Sequence, residues 1–259
     1  MVPGNLRPSI TSVREPGFKL FWIPSGAAPD AFPPVERALR EPDGLLAAGG
    51  DLSVDRLLNA YRRGIFPWYS DPQPILWWSP DPRCVIFPGK LHISRSLRKT
   101  LRRGGYDVST DTAFAEVVRT CAGPRRNQAD GGTWITDAMQ AAYLELHHLG
   151  HAHSVEVHMD GELVGGVYGV ALGRAFFGES MFSRRPNASK IALAWLSAKL
   201  CEWGYELFDC QVHSAHLERM GALLIPRAEF IRRLQHAVAE SGHGSAWPQP
   251  RTSGAQGAP

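Results

Sequence analysis

The sequence predicts an α+β fold in which helices flank a mostly antiparallel sheet. From residue 136 onward, helical and strand periodicities follow each other as a helix, a β-meander, a helix, a strand and two helices. A proline- and aromatic-rich stretch precedes this part, IFPWYSDPQPILWWSPDPRCVIFP, and it cannot form a continuous helix. The chain has 259 residues, of which 44% are hydrophobic, so it can bury a substantial core.

Four parts are expected along the chain. Residues 1–20 are rich in Pro, Gly and Ser and predict a poorly ordered extension. Residues 21–83 predict a small N-terminal α/β domain, and residues 84–243 predict a larger C-terminal domain with a mostly antiparallel sheet. Residues 244–259 are dominated by small and polar residues and predict a disordered tail.

The first clear helix lies in LSVDRLLNAYRRG. Ser53 is a candidate N-cap, apolar residues follow at helical spacing, and Gly64 suits the stop. A second helix is expected from Thr136 to Leu149.

Strand signals follow the second helix. Asp160-Gly161 predicts a type I′ turn between two strands, and GESMFS ends a third strand. A helix is then expected from about Ala188 to Glu202. LFDCQV predicts a strand, and after a short helix a last helix is expected near Ala228 to Ala239.

The composition narrows the classes of protein. No run reaches the ~18 apolar residues that a membrane span needs, and the N-terminus lacks the apolar segment of a signal peptide. The four scattered cysteines suit reduced thiols, so we expect a cytoplasmic protein with no membrane partner. A formal net charge of +3 permits a nucleic-acid partner without requiring one.

The ten histidines do not predict a metal site. His147 and His151 are four residues apart, but Gly150 is expected to break the helix between them. No H-E-x-x-H motif occurs in the sequence. We therefore expect no metal, and surface or hydrogen-bonded histidines account for the pattern better.

A run of cations, GKLHISRSLRKTLRRGGY, contains no acid before Asp107. A helix starting at Ser94 would bury Leu97 and Leu101 and expose the cations, which are Arg95, Arg98, Lys99, Arg102 and Arg103. A solvated helix face is one interpretation, although such faces usually interleave acids. Contact with nucleic-acid phosphates is the other.

Polar residues interrupt two of the predicted strands. Asp209 and Gln211 would share one face of LFDCQV, ~6.6 Å apart, because side chains alternate along a strand. Such a pair can orient an amine that attacks a carbonyl, but an outer face in water fits the spacing equally well. By the same alternation Glu179 and Met181 would share a face of GESMFS, and Glu179 would either form an ion pair or contact a ligand amine.

Several tryptophans, among them Trp68 and Trp134, lie outside periodic core patterns. A tryptophan is more often part of a core than of a ligand site. Near a basic run, its face can also stack on an unpaired base. The sequence pattern leaves both interpretations open.

Taken together, these motifs resemble those of the leucyl/phenylalanyl-tRNA–protein transferase family. The resemblance runs from about Phe32 to Pro226 and rests on LREPDGLLAAGGDLS, AYRRGIFPWYSD, PILWWSPDPR, LHISRSLRK, GTWIT, LHHLGHAHSVEV, ELVGGVYGV, GESMFSR, NASK and DCQV, in that order.

The resemblance implies a C-terminal domain of the GCN5-related N-acyltransferase fold. It also implies transfer of Leu or Phe, and less well Met, from Leu-tRNA or Phe-tRNA to acceptor proteins with an N-terminal Arg or Lys. The new peptide bond marks the acceptor for degradation. No cofactor is implied, because the aminoacyl ester is already activated. A monomer is expected.

The resemblance also implies roles for individual residues. Asp209 and Gln211 would be catalytic, and the basic helix would hold the tRNA backbone. Trp68 and Trp134 would hold the 3′ adenosine of the tRNA, and Glu179 would belong to the same substrate site. The aminoacyl side-chain pocket would be lined by Val167, Phe176, Met181, Leu196, Leu200 and Phe208, with Val167 where Met is common. Arg219 and Met220 depart from the family pattern.

Two alternatives are open at this point. A coenzyme-A-dependent N-acetyltransferase of the same fold would carry a glycine-rich pyrophosphate loop, whereas the corresponding junction reads MFSRRPNASK and has no glycine. A non-catalytic tRNA-binding protein would explain the basic run and the tryptophans, but not Asp209 and Gln211.

Overall fold

The structure, a computed structural model, describes residues 20–123, 134–239 and Trp247. Within these ranges the chain forms a four-stranded and a seven-stranded sheet with helices around them. The predicted extension before residue 20 lies outside the described residues.

The small sheet belongs to the N-terminal part. Its strands are β1 (Phe21–Ile23), β2 (Leu45–Gly49), β3 (Phe66–Pro67) and β4 (Leu76–Trp78), in the order β1-β2-β4-β3. A 3-10 helix, Val35–Arg37, and helix α1, Val54–Arg62, connect them. Ser53 occupies the N-cap position of α1 as expected, but its side chain makes no capping bond. Its backbone N–H instead donates to Asp51 Oδ1 over 2.9 Å.

The large sheet has the order β11-β5-β10-β9-β8-β7-β6. Its strands are β5 (Arg83–Ile86), β6 (Asp107–Thr110), β7 (Ala152–Met159), β8 (Glu162–Leu172), β9 (Ala175–Ser183), β10 (Leu207–Gln211) and β11 (Leu223–Ile225). Only the β9–β10 pair is parallel. The predicted α+β class with a mostly antiparallel sheet is confirmed.

Six helices accompany the large sheet in the described residues: α2 (Arg95–Arg103), α3 (Phe114–Ala122), α4 (Asp137–His148), α5 (Ala188–Glu202), α6 (Ala215–Arg219) and α7 (Arg227–Ala239). Thr136 caps α4 by accepting from Met139 N, and Ser94 caps α2 by accepting from Leu97 N. The predicted β7–β8 turn is present, with φ of 54° at Asp160 and 78° at Gly161. Helix α3, the individual strands of the small sheet, and the short strands β5, β6 and β11 were not predicted.

The large sheet is covered on both faces. Helix α5 packs on one face with buried side chains that include Ile191 and Leu196. Helices α3 and α4 pack on the other face, where the buried side chains of the small sheet and α1 join the same cluster. Tyr61 of α1 contacts Phe177 of β9 with ring centroids 5.0 Å apart. The N-terminal part therefore reaches the middle of the large sheet.

Strands β9 and β10 pair over a short length. The parallel ladder joins Leu207–Asp209 to Ala175–Phe177. Beyond it, β10 continues to Gln211 and β9 to Ser183, but no backbone pair joins them within the described residues. The two strands part at the level of Asp209, which opens a gap in the sheet there.

Candidate active site

Asp209 lies at the opening between β9 and β10 and is fully buried. Arg83, also fully buried, donates from Nε to Asp209 Oδ1 over 2.8 Å and from Nη2 to Oδ2 over 2.7 Å. The guanidinium lies over the rings of Phe66 and Phe230, 4.8 and 4.5 Å from their centroids. The two charges thus neutralise each other where water cannot solvate them.

Gln211 follows Asp209 through a β-bulge. Asp209 pairs with Val85 and Gln211 with Cys84, which leaves Cys210 as the extra residue. Gln211 has φ of 65°, and its N–H donates to Asp209 Oδ1 over 2.8 Å. The carboxylate therefore fixes the backbone that carries the Gln211 side chain.

The bulge corrects the predicted faces of this strand. Phe208 and Cys210 belong to the cluster on the α5 side, whereas Val212 packs against the cluster on the opposite side. Regular alternation, with one residue per ladder position, would put all three on one face, and the extra residue of the bulge breaks that pattern. Phe208 and Asp209 face opposite sides as predicted, and the opening between β9 and β10 lies at that level.

Glu179 lies in a second bulge, on β9, because Tyr168 pairs with Ser180 and Gly169 with Gly178. It is fully buried and forms no ion pair in the described residues. The prediction that it shares a face with Met181 was wrong. Glu179 contacts side chains of the α1 and α4 cluster, whereas Met181 packs on the α5 cluster.

Three donors surround the Glu179 carboxylate. Tyr61 donates to Oε1 over 2.8 Å, Tyr143 to Oε2 over 2.6 Å, and Gln211 Nε2 to Oε1 over 2.8 Å. Burial raises the pKa of Glu179 to about 7, although the bonds from Tyr143 and Tyr61 oppose that rise. The two tyrosines come from α1 and α4, so helices that are far apart in sequence both support this carboxylate.

The Gln211 amide is oriented by these contacts. Nε2 is committed to Glu179, so the carbonyl oxygen Oε1 must point elsewhere. Oε1 is buried and has no hydrogen-bond partner among the described residues. An unpaired buried acceptor costs free energy, and a donor from a ligand would remove that cost.

The predicted pocket residues come together on the α5 side of the sheet. Val167 pairs in register with Met181, and the rings of Phe176 and Phe208 meet edge to face at 5.4 Å. Leu196 and Leu200 of α5 belong to the same cluster. All of them are buried except Met181, which is partly exposed. The cluster is apolar and lies across the sheet from Glu179.

Trp68 and Trp134 are largely buried, and the segments that carry them are joined by a hydrogen bond between Tyr69 OH and Thr136 Oγ1 of 3.2 Å. Neither indole Nε1 has a hydrogen-bond partner within the described residues. Residues 124–133, directly before Trp134, lie outside the described part. The structure brings the two segments together but leaves the adenosine role a prediction.

The five cations of the basic run lie on α2. Arg95, Arg98, Lys99, Arg102 and Arg103 are all exposed, and α2 contains no acidic residue. Leu97 is buried as predicted, and Leu101 is partly buried. No acidic side chain of α2 neutralises these cations, and such a surface suits a polyanionic partner.

Sequence reasoning missed Arg83, Tyr61 and Tyr143. A buried tyrosine hydroxyl needs a partner, so the tyrosines on the apolar faces of α1 and α4 carried a signal. A buried Asp209 likewise required a cation, but nothing in the sequence identified Arg83 as that cation. No group of three or more potential metal ligands occurs in the described part of the chain. None of its helices has the length and apolar character to span a membrane.

Comparison of the sequence with known proteins identifies its family. The family model described as leucyl/phenylalanyl-tRNA protein transferase matches residues 85–235, and the model of its N-terminal domain matches residues 50–81. The leucyl/phenylalanyl-tRNA–protein transferase of Nitrosomonas europaea is 60% identical over 216 residues, which are 83% of this chain and 91% of that protein. The chain belongs to the leucyl/phenylalanyl-tRNA–protein transferase family. It is therefore an aminoacyltransferase, as the resemblance implied.

A second relative matches the sequence equally well, whereas the matches to solved structures have low TM-scores. The protein of the same name from Stutzerimonas stutzeri is 62% identical to this transferase over 79% of this chain and 89% of its own. A GCN5-related N-acetyltransferase from Kribbella flavida matches with a TM-score of 0.36 at 14% identity, over 66% of this chain and 59% of that one. L-PGS from Bacillus licheniformis matches with a TM-score of 0.40 at 10% identity, over 74% and 72%.

Proposed function

We propose that this transferase moves Leu or Phe, and less well Met, from aminoacyl-tRNA to the N-terminal Arg or Lys of acceptor proteins, and so marks them for degradation. The unpaired, buried carbonyl oxygen of Gln211 is the observation that carries the proposal. It offers an acceptor for an N–H group at the opening between β9 and β10, and the apolar cluster that suits a Leu or Phe side chain lies across the sheet from it.

In this proposal Gln211 Oε1 accepts a hydrogen bond from the α-amine of the acceptor. The amine has an ordinary pKa of ~7.7–8.0, so a usable fraction is neutral near neutral pH. Its nitrogen attacks the ester carbonyl, the C–N bond forms, and the bond to the ribose 3′ oxygen breaks. The amine gives up one proton and the ribose oxygen gains one, which balances the reaction without a cofactor.

Asp209 acts in this proposal by position. Both of its oxygens already accept hydrogen bonds from Arg83, and Oδ1 also accepts from Gln211 N. These bonds hold the Gln211 backbone in its left-handed conformation. We assign Asp209 the orientation of the array.

Glu179 holds the other side of the amide. As a carboxylate it accepts from Gln211 Nε2, which keeps Oε1 turned toward the substrate. Tyr61 and Tyr143 fix Glu179 in turn, so the orientation of the amine acceptor depends on residues of both domains. Such fixed positioning converts two bound ends into an effectively intramolecular reaction.

The remaining contacts hold the tRNA. The exposed cations of α2 would neutralise backbone phosphates, and the faces of Trp68 and Trp134 would stack on the 3′ adenosine. Charged tRNA is the donor, so we place the protein in the cytoplasm and expect a monomer, which light scattering of the purified chain can test.

One assay tests the transfer. Purified protein is incubated with labelled Leu-tRNA and a peptide that begins with Arg, and the label on the peptide is followed. The proposal predicts labelled peptide, and no product from the same peptide with an acetylated N-terminus. Acetyl-CoA as the donor should give no acetylated peptide. Acetylation in place of leucylation would refute the proposal, and binding of tRNA without transfer would favour the non-catalytic alternative.

Acceptor choice needs its own comparison. Peptides that begin with Arg, Lys, Ala and Glu but are otherwise identical should be tested side by side. Transfer to Arg and Lys should exceed transfer to Ala and Glu by at least tenfold in kcat/KM. Equal transfer to all four would leave the aminoacyltransferase assignment intact and remove the proposed acceptor class.

A further inference from the structure

Trp247 departs from the expectation for the C-terminal tail. It falls within residues 244–259, which were predicted to be disordered, yet it is only 2% exposed. The small and polar composition of the stretch hides one large apolar side chain. Its chain neighbours lie outside the described residues.

Four aromatic residues surround the Trp247 ring. It stacks on His153 with a centroid distance of 4.3 Å and an interplanar angle of 5°, and on Phe176 at 5.7 Å and 27°. Trp203, just after α5, lies at 4.9 Å. The indole Nε1 donates to Tyr205 OH over 3.0 Å, so the polar atom of the ring is satisfied.

The residues that receive Trp247 are themselves fixed. His153 is buried, and its Nδ1 lies 2.7 Å from Asp111 Oδ2, which sets the orientation of the imidazole. Asp111 also accepts from Ser154 N over 2.8 Å. Tyr205 is buried as well. A ring that fills a site with a satisfied hydrogen bond and a parallel stack is a packed part of the molecule.

Phe176 connects this site to the aminoacyl pocket. A Cβ at Gly169 would lie 2.6 Å from the Phe176 ring, so the glycine leaves the room that this ring occupies on the α5 side of β8. One part of the Phe176 side chain contacts Phe208 of the proposed pocket, and another faces Trp247. Phe176 therefore lies between Phe208 of the proposed pocket and the Trp247 indole.

We propose that Trp247 is a specificity-determining residue that sets the size of the aminoacyl side-chain pocket by holding Phe176 against Phe208. The inference rests on the proposed function, because it takes Phe176 and Phe208 as pocket walls. With the indole in place, the Phe176 ring stays against Phe208. Without it, Phe176 can retreat into the vacated space and the pocket deepens.

A deeper pocket changes the two donors unequally. Leu is the smaller side chain and loses wall contacts, whereas Phe can follow the retreating wall. Apolar pockets separate side chains by size, and one methylene of mismatch changes kcat/KM by about 10- to 200-fold. Partial retreat of one ring should give less than that, so we expect the Phe-to-Leu ratio of kcat/KM to rise about 5-fold or more in Trp247→Ala.

The test compares kcat/KM for Leu-tRNA and Phe-tRNA in the full-length chain. Trp247→Phe keeps an aromatic stack and should stay within about twofold of the wild-type ratio. Trp22→Ala serves as the matched control, because Trp22 is 60% exposed on the small sheet and far from the pocket in sequence and sheet. Added indole should return the Trp247→Ala ratio toward wild type while leaving the wild-type ratio unchanged, since an apolar cavity can bind a matching ring.

The outcomes separate the two claims. A raised ratio that indole reverses supports the inference. Equal losses for both donors with an unchanged ratio would show that Trp247 only stabilises the fold, and would overturn it. If Trp247→Ala does not fold, Trp247→Leu carries the same comparison with the same criterion. A wild-type protein that transfers neither donor would instead refute the proposed function.

Discussion

The buried Arg83–Asp209 pair makes a prediction about the stability of the fold. Asp209→Ala removes a carboxylate that accepts two hydrogen bonds from Arg83, at 2.8 and 2.7 Å, with both side chains fully buried. Arg83 would keep only its bond to Gly64 O and would stay in the core as an unpaired charge. Breaking such a pair from one side costs about 3–5 kcal/mol in the free energy of unfolding.

The same substitution should lower the melting temperature. At about 2–4 °C per kcal/mol for a chain of this size, the expected decrease in Tm is about 6–20 °C. The double variant Asp209→Leu with Arg83→Met removes both charges and should recover much of the loss, because the buried pair itself gains little over apolar packing. Urea unfolding followed by far-ultraviolet circular dichroism measures the free energy of unfolding of each variant, and thermal unfolding followed by the same signal measures its Tm.

A surface pair provides the control. Arg233 donates to Glu229 one helical turn away, and both side chains are partly exposed. Glu229→Ala should therefore cost no more than about 0.5 kcal/mol. A loss below about 1 kcal/mol for Asp209→Ala would refute the reasoning. A double variant as unstable as the sum of its single variants would refute it as well, because the two residues would then act independently.

Three further predictions concern Glu179 and the basic helix. Glu179 has a folded-state pKa of about 7 against an ordinary 4.5, so its contribution to stability is present below pH 4.5 and is lost as the pH rises through 7. The Tm difference between wild type and Glu179→Gln should therefore fall between about pH 4.5 and 7, and a flat difference would contradict the assignment. Tyr143→Phe removes a hydrogen-bond donor that lowers the pKa of Glu179, so in this background the fall in the Tm difference should move to higher pH. An unmoved midpoint would show that the Tyr143 bond does not affect this pKa. Arg98→Glu with Lys99→Glu should weaken tRNA binding and flatten its salt dependence, whereas the exposed Arg232→Glu should not, and equal slopes would remove α2 from the tRNA site.

Long, periodic elements could be predicted from the sequence. Helix α5 spans the expected Ala188–Glu202, and α4 begins after the expected cap at Thr136. The Asp160-Gly161 turn has the expected backbone conformation because both residues tolerate positive φ. In each case the signal is local, because the helix, the cap and the turn are each specified by residues that are close together in sequence.

The site depends on information that is not local. Arg83 and Asp209 are 126 residues apart, and no periodicity links them. The bulges at Glu179 and Cys210 shift side chains to the other face, and a regular strand pattern does not contain that shift. Trp247 lies in a segment whose composition predicts disorder, and only its tertiary contacts make it part of the core.

The carbonyl oxygen of Gln211 is the centre of the account, and single-turnover transfer tests it most directly. Gln211→Leu replaces the amide with an apolar group of similar size and so removes the hydrogen-bond acceptor. With saturating Leu-tRNA and an Arg peptide, its transfer rate should fall by about 100-fold or more, in the range that a lost positioning contact can cost. The Kd for Leu-tRNA should stay within about threefold of wild type, because α2 and the tryptophans are untouched. A transfer rate within threefold of wild type would contradict the account.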